Sequence, residues 1–203
     1  MSVTGELARL GAATVYEASG REGLVDAELK QLVPRSRACG PARTVRGGQD
    51  DNLMVHAAMT RLQPGEVLVL AMPEPRPVAL LGDLLLTQAA ARGAVAVLVD
   101  AAVRDAEELA EMTVPVWARW IRSRGAAKDA VGELDVPVVV GGCTIRPGDL
   151  VVLDADGVTV VAAARAEEVL EASLAREEKE RVKRAKLEAG ALSWHLDGLD
   201  ARV

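Results

Sequence analysis

With 203 residues, half of them apolar, the chain can bury roughly 70% of the surface its unfolded form exposes, so one folded domain over residues 1–203 is expected. A net charge of −6 argues against a sequence-independent phosphate-binding surface, and nucleic acid is not an expected partner. Cys39 and Cys143 stand far apart with no CxxC or His cluster, no run of eighteen apolar residues occurs, and residues 1–10 lack an apolar leader; the expectation is a soluble, cytoplasmic protein without disulfides or structural zinc.

In chain order, residues 7–10 and 12–19 suggest short helices, the second capped by Thr14 with Glu17 at capping-box spacing, and 20–23 reads as a turn. Residues 39–45 form a short strand, and a polar loop at 47–52 leads into a helix through Arg61, with Asn52 as its cap. His56 lies within that helix, where a lone histidine reads as a structural residue rather than a ligand. The apolar run 67–72 suits a strand covered on both faces. Helix 83–92, strand 94–99 ending at Asp100, helix 105–112 and strand 114–118 then alternate as in an α/β unit. After a polar loop at 119–132, strands at 136–140, 150–153 and 158–161 are joined by tight turns, with Asp156-Gly157 as a hairpin signal. A charged, solvated helix covers 166–189 and stops at Gly190, and Trp194-His195 in the short tail must dock or stay exposed.

The most informative pattern is Asp83, twenty residues, Arg104-Asp105, two residues, then Glu108. It sets three carboxylates and a guanidinium around two expected strand–helix junctions, a combination suited to holding a divalent cation and an oxyanion together. Gly82, Asp83, Leu84 and Leu85 open a helix whose first N–H groups have no intrahelical partners and so suit a small carboxylate or phosphate. Asp105 is a hard oxygen donor for Mg²⁺ or Mn²⁺, with Asp83 and Glu108 able to act directly or through water. The same residues also read as plain helix caps, Asp83 for helix 83–92 and Asp105-x-x-Glu108 as a capping box, each worth about 1 kcal/mol. Spacing alone leaves both readings open.

The Asp83-x20-Arg104-Asp105-x2-Glu108 pattern resembles the signature of the class II 4-hydroxy-4-methyl-2-oxoglutarate/4-carboxy-4-hydroxy-2-oxoadipate aldolases of the RraA-like superfamily. The likeness extends through 13–18, 40–45, Asp51-Asn52, 64–69, 82–85, Arg92-Gly93, 147–149 and 156–158, and so covers most of residues 10–165. It implies an α/β fold of the RraA-like swivelling β/β/α kind, assembled as a homotrimer or hexamer with sites between subunits. It further implies cleavage of 4-hydroxy-2-oxo diacids to pyruvate and a second oxo acid, with oxaloacetate decarboxylation as a companion activity. On this resemblance Asp105 is the direct Mg²⁺ ligand, Asp83 and Glu108 act through water, Arg104 faces the C2 oxygen, and the Gly82–Leu85 backbone cradles the carboxylate. Glu177 or Glu178 is the candidate acidic residue from a neighbouring subunit. The alternative within the superfamily is a regulatory protein that binds and inhibits ribonuclease E without catalysis. A lysine Schiff base is not expected, because Lys30, Lys128, Lys179, Lys183 and Lys186 all sit in polar or charged stretches.

Overall fold

A strand with no polar side chain has no face to turn to water, and Val67–Ala71 is accordingly buried along its whole length. The computed structural model describes residues 2–203. Its strands are β1 (Lys30–Gln31), β2 (Ala38–Arg46), β3 (Val67–Ala71), β4 (Ala79–Leu81), β5 (Ala96–Val103), β6 (Val116–Ile121), β7 (Glu133–Leu134), β8 (Val138–Val140), β9 (Cys143–Ile145), β10 (Leu150–Asp154) and β11 (Gly157–Val161). Its α-helices are α1 (Val3–Leu10), α2 (Ala12–Ala18), α3 (Leu53–Ala58), α4 (Asp83–Ala91), α5 (Ala106–Glu111), α6 (Ala166–Glu188) and α7 (Ser193–Leu196). Nine strands form one mixed sheet in the order β1-β6-β5-β3-β2-β10-β11, with β4 beside β5 and β7 beside β2, while β8 and β9 pair separately. The β2–β3–β5–β6 ladder and the β4–β5 pair are parallel.

Alternate residues of the central strands feed two different cores, as the two-residue period of a strand demands. Leu68, Leu70, Val97 and Val99 pack with α3, α4 and α5 residues such as Val55, Leu86 and Leu109, while Val67, Val69, Ala96 and Leu98 pack with Val140, Ile145, Val151 and Val158 of the later strands. Each fully buried Leu or Val contributes about 1.5–3 kcal/mol. A third cluster, including Leu7, Leu10, Val15 and Val169, ties the first two helices to the start of α6. Beyond Ser173 that long helix has no buried residue. It ends as expected: Gly190, at φ +93, donates to Leu187 O and Ala191 donates to Lys186 O. Trp194 remains 42% exposed. Among the described residues, no helix is long and apolar enough to cross a membrane.

Several local expectations are corrected by long-range contacts. Gly11, not Thr14, precedes the second helix, and its first amide, Ala12 N, donates 2.9 Å to the buried Asp154 carboxylate from a strand 142 residues later. Asn52 occupies the cap position of α3 without capping it; Asp51 Oδ1 accepts from Leu53 N at 2.8 Å instead, and the helix stops at Ala58 rather than Arg61. Strand β5 runs through Asp100 to Val103, because Arg119 on neighbouring β6 pairs with the buried Asp100 carboxylate and makes its burial tolerable. The β10–β11 hairpin turns one residue earlier than its Asp-Gly signal, with Asp154 opposite Gly157 and Ala155-Asp156 between them. Residues 119–121 belong to β6 rather than to a loop. Both cysteines are free; burial pushes the Cys39 thiol up to about 12, leaving it inert at neutral pH.

Candidate active site

The twenty-residue spacing has a simple origin in the topology. Strands β4 and β5 pair in parallel with Leu81 opposite Val103, so the residues that follow each strand, Gly82-Asp83 and Arg104-Asp105, emerge level with one another. Arg104 N donates 3.1 Å to Leu81 O and fixes that junction. Ligands of open parallel sheets commonly bind at such carboxyl ends.

Neither aspartate side chain caps its own helix. Gly82 is the N-cap of α4 and has no side chain with which to cap it, while Asp105 occupies the N-cap position of α5 in the left-handed region, φ +56, and its side chain makes no cap bond to α5. Asp105 Oδ2 instead accepts from Asp83 N at 3.2 Å and lies 3.5 Å from Arg104 Nε. The two caps expected from spacing are therefore absent, and the Asp105 carboxylate instead takes up the first amide of α4. With the first intrahelical bond of α4 running from Leu86 N to Gly82 O, the amides of Leu84 and Leu85 have no partner within the helix. A side chain at Gly82 would displace its neighbours: a Cβ would sit 2.4 Å from Asp105 Oδ2 and 3.2 Å from Arg104 Cγ and Nε.

A cavity of about 180 Å³ opens on this junction; Gly82, Asp83, Leu84, Leu85 and Arg104 line it together with Asn52, His56, Ala126 and Lys128. Arg104 also borders a shallower neighbouring depression with Asp105, Ile121 and Arg122. Sequence reasoning did not single out Asn52, His56 and Lys128 for this site. Asn52 and His56 are four residues apart at the start of α3, a same-face spacing that was readable; their meeting with Arg104 was not. Lys128 arrives because the loop after β6 is pinned: Asp51 Oδ2 accepts from Asp129 N at 2.6 Å and Ala130 N at 2.9 Å. Burial pushes the Asp51 pKa up, but its three backbone donors outweigh burial and hold the carboxyl below its ordinary value. Burial first, and Lys128 second, lower the His56 pKa.

Glu108 is exposed on α5. Glu177 forms a two-pronged pair with Arg9 of its own chain, at 2.5 and 2.8 Å, and Glu178 pairs with Arg181. Neither lines this cavity within one chain. Among the described residues, no three His, Cys, Asp or Glu side chains converge as a ready-made metal cluster. That donor set does not suit zinc, but it fits Mg²⁺, which takes one or two carboxylates and keeps several waters. A larger cavity of about 350 Å³ lies elsewhere, near Ser19, Cys143, Asp149 and Arg165. Its charges hold the fold: Arg165 pairs with Glu22 and Glu168, and Asp149 accepts from Arg146 N and Ala163 N.

Residues 12–160 match the family model for RraA-like proteins, described as Aldolase/RraA. A protein of Halalkalibacterium halodurans, named as a proposed 4-hydroxy-4-methyl-2-oxoglutarate aldolase, is 38% identical over 143 residues, covering 70% of this chain and 68% of its own length. The structure of Streptomyces coelicolor RraAS2, described as an unusual member of the RNase ES inhibitor RraA protein family, superposes with a TM-score of 0.79 at 30% identity, covering 90% of this chain and 95% of that one. The RNA-processing inhibitor RraA from Thermus thermophilis superposes with a TM-score of 0.67 at 31% identity, covering 74% and 91%.

Proposed function

The chain belongs to the RraA-like (Aldolase/RraA) family and has its fold, and from that premise we propose that it is a pyruvate aldolase. In this reading it cleaves 4-hydroxy-2-oxo diacids to pyruvate and a second oxo acid, and also decarboxylates oxaloacetate. The observation that carries the reading is the single cavity in which the Arg104 guanidinium meets the open amide end of α4. Both reactions break a C–C bond beside a 2-oxo acid and leave negative charge on the C2 oxygen of pyruvate enolate. The Leu84 and Leu85 amides receive the C1 carboxylate, as helix N-termini receive anions. Arg104 then faces the C2 oxygen; a preorganised donor in that role is worth about 3–4 kcal/mol.

Asp105 would hold a Mg²⁺ directly, with Asp83 and Glu108 contributing through water. When bound, the cation supplies further positive charge for the developing enolate. The Asp105 carboxylate is held in place for this by Asp83 N, the first amide of α4. Assembly as a homotrimer or hexamer belongs to the same proposal. Supply of Glu177 to a neighbour's site would require its pair with Arg9 to open, whereas Glu178 is tied only to Arg181 on the exposed face of α6.

A second reading is favoured by the descriptions of the two structural relatives: a regulatory protein that binds a ribonuclease. One fold can serve both ends, so the site and not the fold must decide. The test is a coupled pyruvate-release assay over oxaloacetate and several 4-hydroxy-2-oxo diacids, with Mg²⁺ and after chelation. Metal-dependent pyruvate release supports the aldolase. No release from any of them, with stoichiometric capture of a ribonuclease E-type enzyme by the purified protein, replaces it with the regulatory reading.

A further inference from the structure

Aldol cleavage has a requirement that decarboxylation lacks: a base must take the proton of the C4 hydroxyl. Asp83, Arg104 and Asp105 serve the pyruvate half of the substrate, and none of them is assigned to that proton. Two of the residues that line the cavity carry polar atoms without partners. His56 Nε2 and Asn52 Oδ1 are both buried and make no hydrogen bond within the chain. The asparagine is only 8% exposed, and its other terminal atom is fixed, since Nδ2 donates 3.1 Å to Leu80 O. Asn52 therefore keeps its acceptor oxygen in place beside a histidine one helical turn away. A buried polar atom with nothing to bind is costly, and such atoms in native proteins call for a ligand, a water or a catalytic role.

The geometry points to His56 as the base for the C4 hydroxyl, with Asn52 positioning that hydroxyl and Lys128 receiving the distal carboxylate of the diacid. This rests on the aldolase reading above. In the step, the His56 Nε2 lone pair takes the hydroxyl proton and the O–H electron pair becomes the C4=O π bond. The C3–C4 bond breaks, and its electrons form the C2=C3 bond of the enolate, whose charge rests on the C2 oxygen facing Arg104. When the enolate collapses, C3 takes the proton back from the imidazolium. The products are pyruvate and a second 2-oxo acid or oxo diacid, with His56 neutral again and no further reactant consumed. Burial first, and the Lys128 charge second, disfavour the imidazolium and so favour the neutral form, which is the form that can accept a proton. The exposed Lys128 borders the same cavity and gives the far end of a dianionic substrate a cation that a monoacid would leave unused.

The experiment compares two reactions in the same protein. Wild type and His56→Gln, both supplied with Mg²⁺, are assayed for pyruvate release from a 4-hydroxy-2-oxo diacid and from oxaloacetate, and pyruvate binding and melting temperature are measured alongside. Loss of the base lowers aldol kcat by about 100-fold or more, while decarboxylation, which has no hydroxyl proton to remove, changes far less. The ratio of the two rates is the readout, since a folding defect lowers both. Lys128→Met, at an exposed position safe for folding, raises KM for the diacid about tenfold with kcat held. An equal fall in both reactions of His56→Gln, or an unchanged ratio, overturns the proposal and leaves a bridging water as the occupant of the two atoms. If wild type releases pyruvate from neither substrate, the aldolase reading itself falls and this inference goes with it. Wild type that decarboxylates oxaloacetate but cleaves no hydroxy diacid overturns the His56 role alone.

Discussion

Replacing Asp105 by Asn separates the charge of this residue from its shape. The backbone at φ +56 is left-handed, a region Asn enters as readily as Asp, so no new strain is introduced. The amide oxygen can still accept from Asp83 N, and α5 loses no cap because Asp105 never provided one. What is lost structurally is the contact with Arg104, between side chains 50% and 32% exposed. Such a pair is worth about 0–1 kcal/mol, and for a domain of this size that lowers Tm by no more than about 2–4 °C. The catalytic cost is of another order. On the proposed role, in which Asp105 would hold the cation directly, its loss lowers kcat/KM by about 100-fold or more, equivalent to about 2.7 kcal/mol of transition-state stabilisation. Thermal unfolding and pyruvate release measured on one preparation check the two halves together. Activity within about threefold of wild type would remove Asp105 from the chemistry, and a large loss of Tm in step with activity would make it a structural residue after all.

Four further outcomes follow from the same geometry. Arg104→Lys keeps the charge but not the planar fork, and kcat falls by about 100-fold; a near-wild-type kcat would make Arg104 structural. Gly82→Ala drives a Cβ against the Asp105 carboxylate end and the middle of the exposed Arg104 side chain, both of which can shift, so stability changes by about 1 kcal/mol while activity falls at least about tenfold. Unchanged turnover in that variant would show that the carboxylate is not held where the reaction needs it. EDTA abolishes pyruvate release and added Mg²⁺ restores it, whereas full turnover after rigorous chelation rules out the metal. Finally, His56 has a folded pKa below its unfolded value, so the unfolded chain binds more protons and stability declines as pH falls from about 6.5 through the folded pKa. Urea unfolding across that range shows a shallower slope in His56→Gln; an identical slope would mean His56 protonates as freely in the folded chain as out of it.

The parts legible in the sequence are those in which local chemistry and tertiary structure ask for the same thing. The run Val67-Leu68-Val69-Leu70 has to be covered on both faces whatever covers it, and Gly190 stops α6 through its own backbone freedom. The Asp83 and Arg104 junctions were legible for the same reason, since a strand, a helix and a parallel strand finishing level with the first place them side by side. The errors fall where a distant group overrides the local preference. Thr14 offered a cap, but Asp154 reaches the helix start from β10; Asp100 looked like a strand end, but Arg119 lets the strand continue. Asp83 and Asp105 matched capping spacings as well as metal spacings, and the bond from Asp83 N to Asp105 Oδ2, which ties the second junction to the start of the first helix, was visible in neither.

The other residues lining the cavity were hidden for a related reason. A lone histidine inside a helix is ordinarily a satisfied structural group, and what makes His56 different is an unmet bond, a property of the packed molecule and not of the sequence. Its position depends on Asp51, whose carboxylate ties α3 to the loop after β6 and so brings His56 and Lys128 to one cavity from residues 72 positions apart. On the proposed aldolase reading, the strand ends hold the pyruvate half of the site on rigid backbone, and a pinned loop supplies the half that meets the rest of the substrate. Relatives sharing the first half can therefore differ in what they cleave by changing the second, without altering the sheet that positions both.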